Sequence, residues 1–328
     1  MKATTKLAVP LVGIALACAC SRSGGGSAGG SSAGTGGIQA SGGSGGGDAE
    51  PWPTGGSAGS GTGGSAASGG SGAGGGSGAG GGTGGSGGGS GNFVPNCPAS
   101  CQAIPGTSYG SLSTSGAKTD RPAAQHADLN PKMRGWAPCT QVGCGATGST
   151  LGLIYIPPAP SGTDTKAPRL HTLFSPARVP TIQANYRGYD WDWSCNCKGG
   201  LIGTWDVHWI GAATSLGEVL HLPQSGYDIG AGYGARVLYA DGDTVTLKYT
   251  AEDNVVYGYT LHIVGICLEP GLRALYDSDN ASGRSQLPAL KGGDPIGRAC
   301  GNQTIVAVRD TGSFMDPRSQ DDWWQGHP

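Results

Sequence analysis

The chain has no apolar run long enough to cross a bilayer: its longest, LAVPLVGIALA at residues 7–17, falls well short of the roughly 20 residues a membrane helix needs. Charge is also scarce. Only 13% of residues are acidic or basic and the net charge is −2, so there is no basic surplus of the kind that holds nucleic acid or an anionic surface. Phenylalanine and methionine occur three times each, and aromatic residues make up 7% of the chain, so any aromatic cluster stands out against a poor background. The C-x₂-C pairs of structural zinc sites are missing. No helical periodicity beyond about two turns is visible before Leu268, which excludes a helical bundle.

Glycine is what the chain has in excess. It accounts for 66 of 328 residues, most of them before Gly91, so a low-complexity polymer precedes a globular one. Residues 1–20 read as a lipoprotein-type signal peptide, with Lys2 and Lys6 ahead of the apolar run. The CACS that follows resembles a bacterial lipobox, with Cys20 and Cys18 as the two candidates for lipidation; neither has the preferred Leu three residues ahead, and a plain secretory signal is the alternative. Residues 21–92 are almost entirely Gly, Ser, Ala and Thr, too apolar-poor to offset the entropy of ordering, and are expected to form a disordered tether. The part from Gly24 to Gly91, about 68 residues, spans roughly 45 Å as coil.

Cys97, Cys101, Cys139, Cys144, Cys195, Cys197, Cys267 and Cys300 follow. An even count behind an export signal favours disulfides. A metal site drawn from the 195–197 CNC with Asp190, Asp192, Asp206 and His208 is the weaker alternative. Local pairs such as Cys97–Cys101 and Cys139–Cys144 fit the spacing, and connectivity stays open. Residues 93–164 form a Cys-rich lead-in with one strand signal, LGLIYI at 151–156, and too little apolar content for a core of their own.

Over residues 165–328, strand signals recur in RLHTLF, WDVHWIGA, EVLHL, ARVLYA, DTVTLKYT, VVYGYTLHIVGI and TIVAVR, with a hairpin signal in ADGD at 240–243. The best helical stretch is 270–278. The fold class expected is all-β, a sandwich or partly closed barrel with one short helix.

GGDPIGRA, a strand, and then VRDTGSFMDPR resemble the end of the M23 (LytM-type) peptidase domain, which closes with GQxIGxxG, HLHFE and xRxNGxxxDP. YRGYDWDW resembles that family's HxGxD entry, GEVLHL its GxPVxA, and YGYTLHI falls where the family has YxHL. The resemblance implies an M23-like β fold whose active members hold zinc through the His and Asp of HxxxD and the second His of HxH. At those places this chain has Tyr186, Asp190 and Ile305, with Gln303 for the first His of HxH. A lone carboxylate does not hold zinc usefully, so no cofactor is expected; zinc enters only under the alternative of an active metallo-endopeptidase with a rearranged site. In a shifted register, QSGYD at 224–228 keeps Asp228 and still replaces the His by Gln. His262 stands near the His of YxHL, but three residues after its tyrosine, which on a strand puts the two on opposite faces.

The aromatic residues carry the remaining signal. Tyr186, Tyr189, Trp191, Trp193, Trp205 and Trp209 crowd beside Arg187, Asp190, Asp192 and Asp206, a composition that suits stacking on sugar faces, although alternate residues of a strand belong to the core. Asp206 and His208 would share one strand face, forming either a polar rim or the outer side of an amphipathic strand. DTGS at 310–313 spells an aspartic-protease signature, but without a second copy it reads as a turn. DDWW at 321–324 adds exposed aromatic surface unless it docks back. The function expected is a non-catalytic cell-envelope module at the outer membrane or cell surface, monomeric, with peptidoglycan or an envelope hydrolase as partner and Tyr186, Asp190, Trp191, Trp193, Asp206, His208 and His262 as binding residues. A structural surface protein is the second alternative. Replacing both Cys18 and Cys20 by Ser should move the protein from the membrane to the soluble fraction; retention of the double variant on membranes would count against lipidation.

Overall fold

The computed structural model describes residues 93, 95–158, 162–325 and 327, so the signal-type segment, the tether and both lipidation candidates lie outside the described residues. The lead-in contributes strand β1 (Gly110–Ser113), helix α1 (Pro131–Arg134), strand β2 (Trp136–Pro138) and helix α2 (Cys139–Val142). Then come β3 (Ile182–Asp192), β4 (Cys197–Leu201), β5 (Trp209–Ala213), β6 (Val219–His221), β7 (Ala235–Ala240), β8 (Thr244–Lys248), β9 (Tyr259–Val264) and β10 (Ile266–Leu268). Helix α3 (Pro270–Ala281), β11 (Gln286–Leu290), β12 (Pro295–Ala299), β13 (Gln303–Asp310), β14 (Ser313–Phe314) and α4 (Gln320–Trp323) complete the chain. No described helix is long and apolar enough to cross a membrane.

The fold is mostly antiparallel β-sheet. One sheet runs β1-β11-β7-β8-β9-β13-β5-β3-β2, with β14 paired to β13 and β4 to β3, and a second runs β10-β12-β6; the sheets stay open and do not close into a barrel. Both outermost strands of the long path come from the lead-in, which therefore completes the sheet instead of merely packing on it. Among the described residues four short α-helices replace the single one expected, three of them only four residues long.

Local chemistry explains the strongest elements. Helix α3 starts on Pro270 at its first position, with the Glu269 side chain accepting from the Leu272 N–H at 3.0 Å, and buries Leu272, Tyr276 and Asp279 on one face. The 240–243 turn joins β7 to β8, and Lys132 of α1 grips it through Asp241 and Asp243 at 2.6 and 2.7 Å. Asp310-Thr311-Gly312-Ser313 is a two-residue hairpin turn: Asp310 pairs with Ser313, and both central residues take positive φ, 46° and 82°.

Two strand expectations fail and a third holds only in part, because apolar content alone does not provide a pairing partner. RLHTLF forms a 3₁₀ turn, Leu170–Leu173, with Leu170, His171 and Leu173 all buried, so the run is core without being strand. LGLIYI makes only an isolated bridge from Ile154 to Ser319, and its Leu151 and Tyr155 are 56% and 67% exposed. WDVHWIGA becomes strand only from Trp209 onward, so Asp206 and His208 do not share a strand face.

All eight cysteines after residue 92 are paired. Cys139–Cys144 joins as its spacing allows, but Cys97 bonds Cys300 and Cys101 bonds Cys267, which excludes the local Cys97–Cys101 pair. Cys195–Cys197 closes the tip of the β3–β4 hairpin. The two long-range bridges span 203 and 166 residues and fasten the start of the lead-in to β10 and the end of β12. Replacing Cys101 and Cys267 together by Ser should lower unfolding stability by roughly 2–5 kcal/mol, measured by denaturant titration, because the bridge removes a long loop's freedom from the unfolded chain. An unchanged midpoint would show that the lead-in is held without it.

Candidate functional site

Strand β3 runs for 11 residues and pairs with β5, β2 and β4, so its end projects as the β3–β4 hairpin. The aromatic residues divide along it. Tyr186 and Trp191 are buried, whereas Trp193, in the turn beyond β3, keeps 43% of its surface exposed. The lead-in steadies that ring: the Arg121 guanidinium carbon lies 5.0 Å and that of Arg134 6.0 Å from its centroid, and His126 meets it edge-on at 5.1 Å. Asn196 joins the two sides, its Oδ1 accepting from Trp191 Nε1 at 3.3 Å and from the Arg121 guanidinium. Lys198 stacks on Tyr189 at 3.4 Å.

Carboxylates surround the ring. The side chain of Asp190 is 71% exposed and accepts from Arg134 Nη1 at 3.1 Å. Asp192 accepts from both the N–H and the hydroxyl of Ser194, which together hold its carboxyl below the usual range. A flat exposed ring, a disulfide-closed turn and ionised carboxylates can stack on one face of a sugar while bonding its hydroxyls.

The positions matched to the peptidase pattern converge in part. Residues opposite one another in antiparallel strands share a face, which places Tyr186, Trp209, Ile305, Ala307 and His262 on one side of the sheet. Tyr186 donates to Gln303 Oε1 at 3.4 Å. Ile305 is fully buried in a cluster with Trp136, Tyr186, Trp209, Val264 and Phe314. Trp209 lies 4.9 Å from Trp136 and 5.4 Å from Phe314, ring to ring, so this face is filled by aromatic packing. Asp190 stands outside it, at the exposed hairpin.

Neither histidine of the expected binding set reaches solvent. Thr246 gives its hydroxyl proton to the Leu129 carbonyl and so accepts from His262 Nδ1 at 2.9 Å, which leaves His262 Nε2 as a bare, buried acceptor. Burial pushes this imidazole well below its ordinary value. His208 Nδ1 accepts from the Gly188 N–H at 3.2 Å, its Nε2 is buried without a partner, and burial lowers its pKa to about 4. Asp206 is occupied by the Thr147 N–H and hydroxyl at 2.8 and 2.7 Å, so it fastens the Cys139–Cys144 loop and does not form a rim with His208. Tyr259, on the face opposite His262, bonds Asp164 at 3.1 Å within the main core. The DDWW tail docks back: Trp323 and Trp324 are buried and donate to the carbonyls of Asp316 and Pro317.

Other motifs do not assemble chemistry. Among the described residues no group of three or more His, Cys, Asp or Glu is placed to hold a metal ion. GTSYG at 106–110 spells a nucleophile elbow, yet it runs into strand β1 and the cleft beside Ser108 holds no histidine. No family model, no curated protein and no solved structure matches this chain.

The group that sequence reasoning missed is Asp128. It binds Arg134 and, at 2.8 Å, Arg309 Nη1; Arg134 reaches on to Asp190, and Arg309 also donates to the Gly312 carbonyl. Burial alone would raise this carboxyl, but the Arg309 and Arg134 charges outweigh it and bring the pKa down to about 2. A folded-state pKa below the unfolded value near 4 means stability that is present above pH 4 and lost as pH falls towards about 2. Asp128→Asn should cost about 3–5 kcal/mol at neutral pH, because it leaves the buried Arg309 guanidinium without a carboxylate and Arg134 with only the exposed Asp190. It should also flatten the pH 4 to 2 limb of an acid unfolding curve; an acid limb identical to wild type would remove Asp128 from this role.

Proposed function

We propose that this protein is an exported, lipid-anchored module of the cell envelope that binds peptidoglycan through the β3–β4 hairpin. The observation that carries the reading is the exposed ring of Trp193, pre-set by Arg121, Arg134 and His126 and carried on the same hairpin as the accessible carboxylates of Asp190 and Asp192. Holding the ring in place before binding lowers the entropy lost when a ligand stacks on it. A Gly/Ser tether would let a lipid-anchored domain reach the wall. In this reading the chain is a relative of the M23 peptidases that has kept the scaffold and lost the hydrolytic site. Support comes from the placement of Tyr186, Ile305 and His262 on one sheet face with aromatic side chains packed over it, and from the chemistry of those residues: Gln303 does not take up a proton near neutral pH and Ile305 has no lone pair to donate.

The proposed binding set is thereby narrowed. Trp193, Asp190 and Asp192 face the ligand, Trp191 holds Asn196, and Tyr186, Asp206, His208 and His262 are structural. Cosedimentation of the full chain with purified sacculi tests this. Trp193→Ala should weaken retention by about tenfold or more, the loss typical of an aromatic hot spot, while far-ultraviolet circular dichroism stays unchanged. Undiminished retention of that variant, or retention only when an envelope hydrolase is also present, would overturn direct glycan binding.

A further inference from the structure

A row of buried donors crosses the sheet beside His262. Arg236 of β7 lies opposite Lys248 of β8, and Lys248 lies opposite Thr260 of β9, so the three side chains stand side by side on one face. All three are fully buried. Arg236 donates from Nη2 to the Ser113 carbonyl at 3.2 Å, and its Nε and Nη1 have no partner. Lys248 Nζ and Thr260 Oγ1 have none either.

The charges around this row do not cancel. Arg309, opposite Thr260, is already engaged by Asp128 and Gly312. Asp253 acts on Arg236 from a distance but is bonded to Arg284 through both carboxylate oxygens. Asp310, at the end of β13, is only a distant influence on Lys248. Glu252 acts on both cations, yet its own Oε2 is buried and unpartnered. Burial lowers the Lys248 ammonium to about 8, which still leaves it mostly protonated at neutral pH. Two cations against one carboxylate leave a net positive charge in a buried site. Water can satisfy the donors there, but it cannot neutralise that charge.

We propose that Arg236, Lys248 and Thr260 form an enclosed binding site for a small monoanion, a halide or a one-carbon carboxylate. Enclosure sets the size: all three side chains are fully buried, with the lead-in bonded to Arg236 at Ser113 and bridged to Glu252 at Ser115, so the ligand expected is a small ion and not a sugar or phosphate ester. The donor set decides the chemistry, with an ammonium, a guanidinium edge and a hydroxyl side by side on one sheet face and a single carboxylate opposing them. Ligand and place differ from those of the Trp193 hairpin, so the two readings stand or fall separately.

Thermal unfolding of the full chain at fixed ionic strength in gluconate, chloride, bromide or formate provides the test. Gluconate is too large to enter. A saturable rise in the midpoint with chloride and bromide identifies a halide site, and a rise with formate identifies a carboxylate site. Thr260→Val removes a donor that has no protein partner and keeps the side chain's shape, so it should weaken the anion response by about tenfold. Lys248→Met should abolish the response; if that variant does not fold, Thr260→Val decides alone. Equal midpoints in all four salts, or an anion response unchanged in Thr260→Val, overturns the site.

Discussion

The carboxylate of Asp128 is the point at which the lead-in and the sheet are joined. It pairs with Arg134 from α1 and with Arg309 from β13, and it is the carboxylate that offsets the buried Arg309 guanidinium. Each arginine then places something else. Arg309 caps the 311–312 turn and, with its guanidinium carbon 4.7 Å from the Phe314 ring, sets the residue that closes the aromatic face. Arg134 reaches outward to Asp190 and lies beside Trp193. A single half-buried anion therefore links the filled face to the exposed hairpin.

The sheet face under the lead-in has two regions of different chemistry. Around Trp136, Trp209, Ile305 and Phe314 it is a packed aromatic core, and shape complementarity accounts for it. Around Arg236, Lys248 and Thr260 it is polar, buried and short of acceptors. His262 stands between the two, held in one tautomer by Thr246. The lead-in reaches both regions through the Leu129 and Ser113 carbonyls, which accept from Thr246 and Arg236, and it is bolted down by Cys97–Cys300 and Cys101–Cys267.

The exposed hairpin solves a different problem. An isolated turn carrying Trp193 would lose much of its binding free energy in ordering the ring. Here the order is built in beforehand by Arg121, Arg134, His126 and the Cys195–Cys197 bridge. Three of those four supports come from segments distant from Trp193 in the chain, which is why the crowding of aromatic residues between 186 and 209 drew attention to the stretch without showing which ring was free.

Sequence alone determined what neighbouring residues decide among themselves. Runs rich in β-branched and aromatic residues between turn residues specified β7, β8, β9 and β13; the Asp-Gly and Asp-Thr-Gly turns specified two hairpins; the 270–278 stretch marked helix α3. Each depends on contacts within a few positions, where spacing and geometry are nearly the same statement. Tertiary structure decided everything that required a distant partner: Cys97 choosing Cys300 over Cys101, Asp128 choosing Arg309, Asp206 leaving His208 for Thr147, and Trp323 and Trp324 turning inward. The reason is physical. A charge, a thiol or an indole reveals its chemistry in the sequence, but its partner is selected by which segments the hydrophobic core brings together and by which polar groups would otherwise be buried alone.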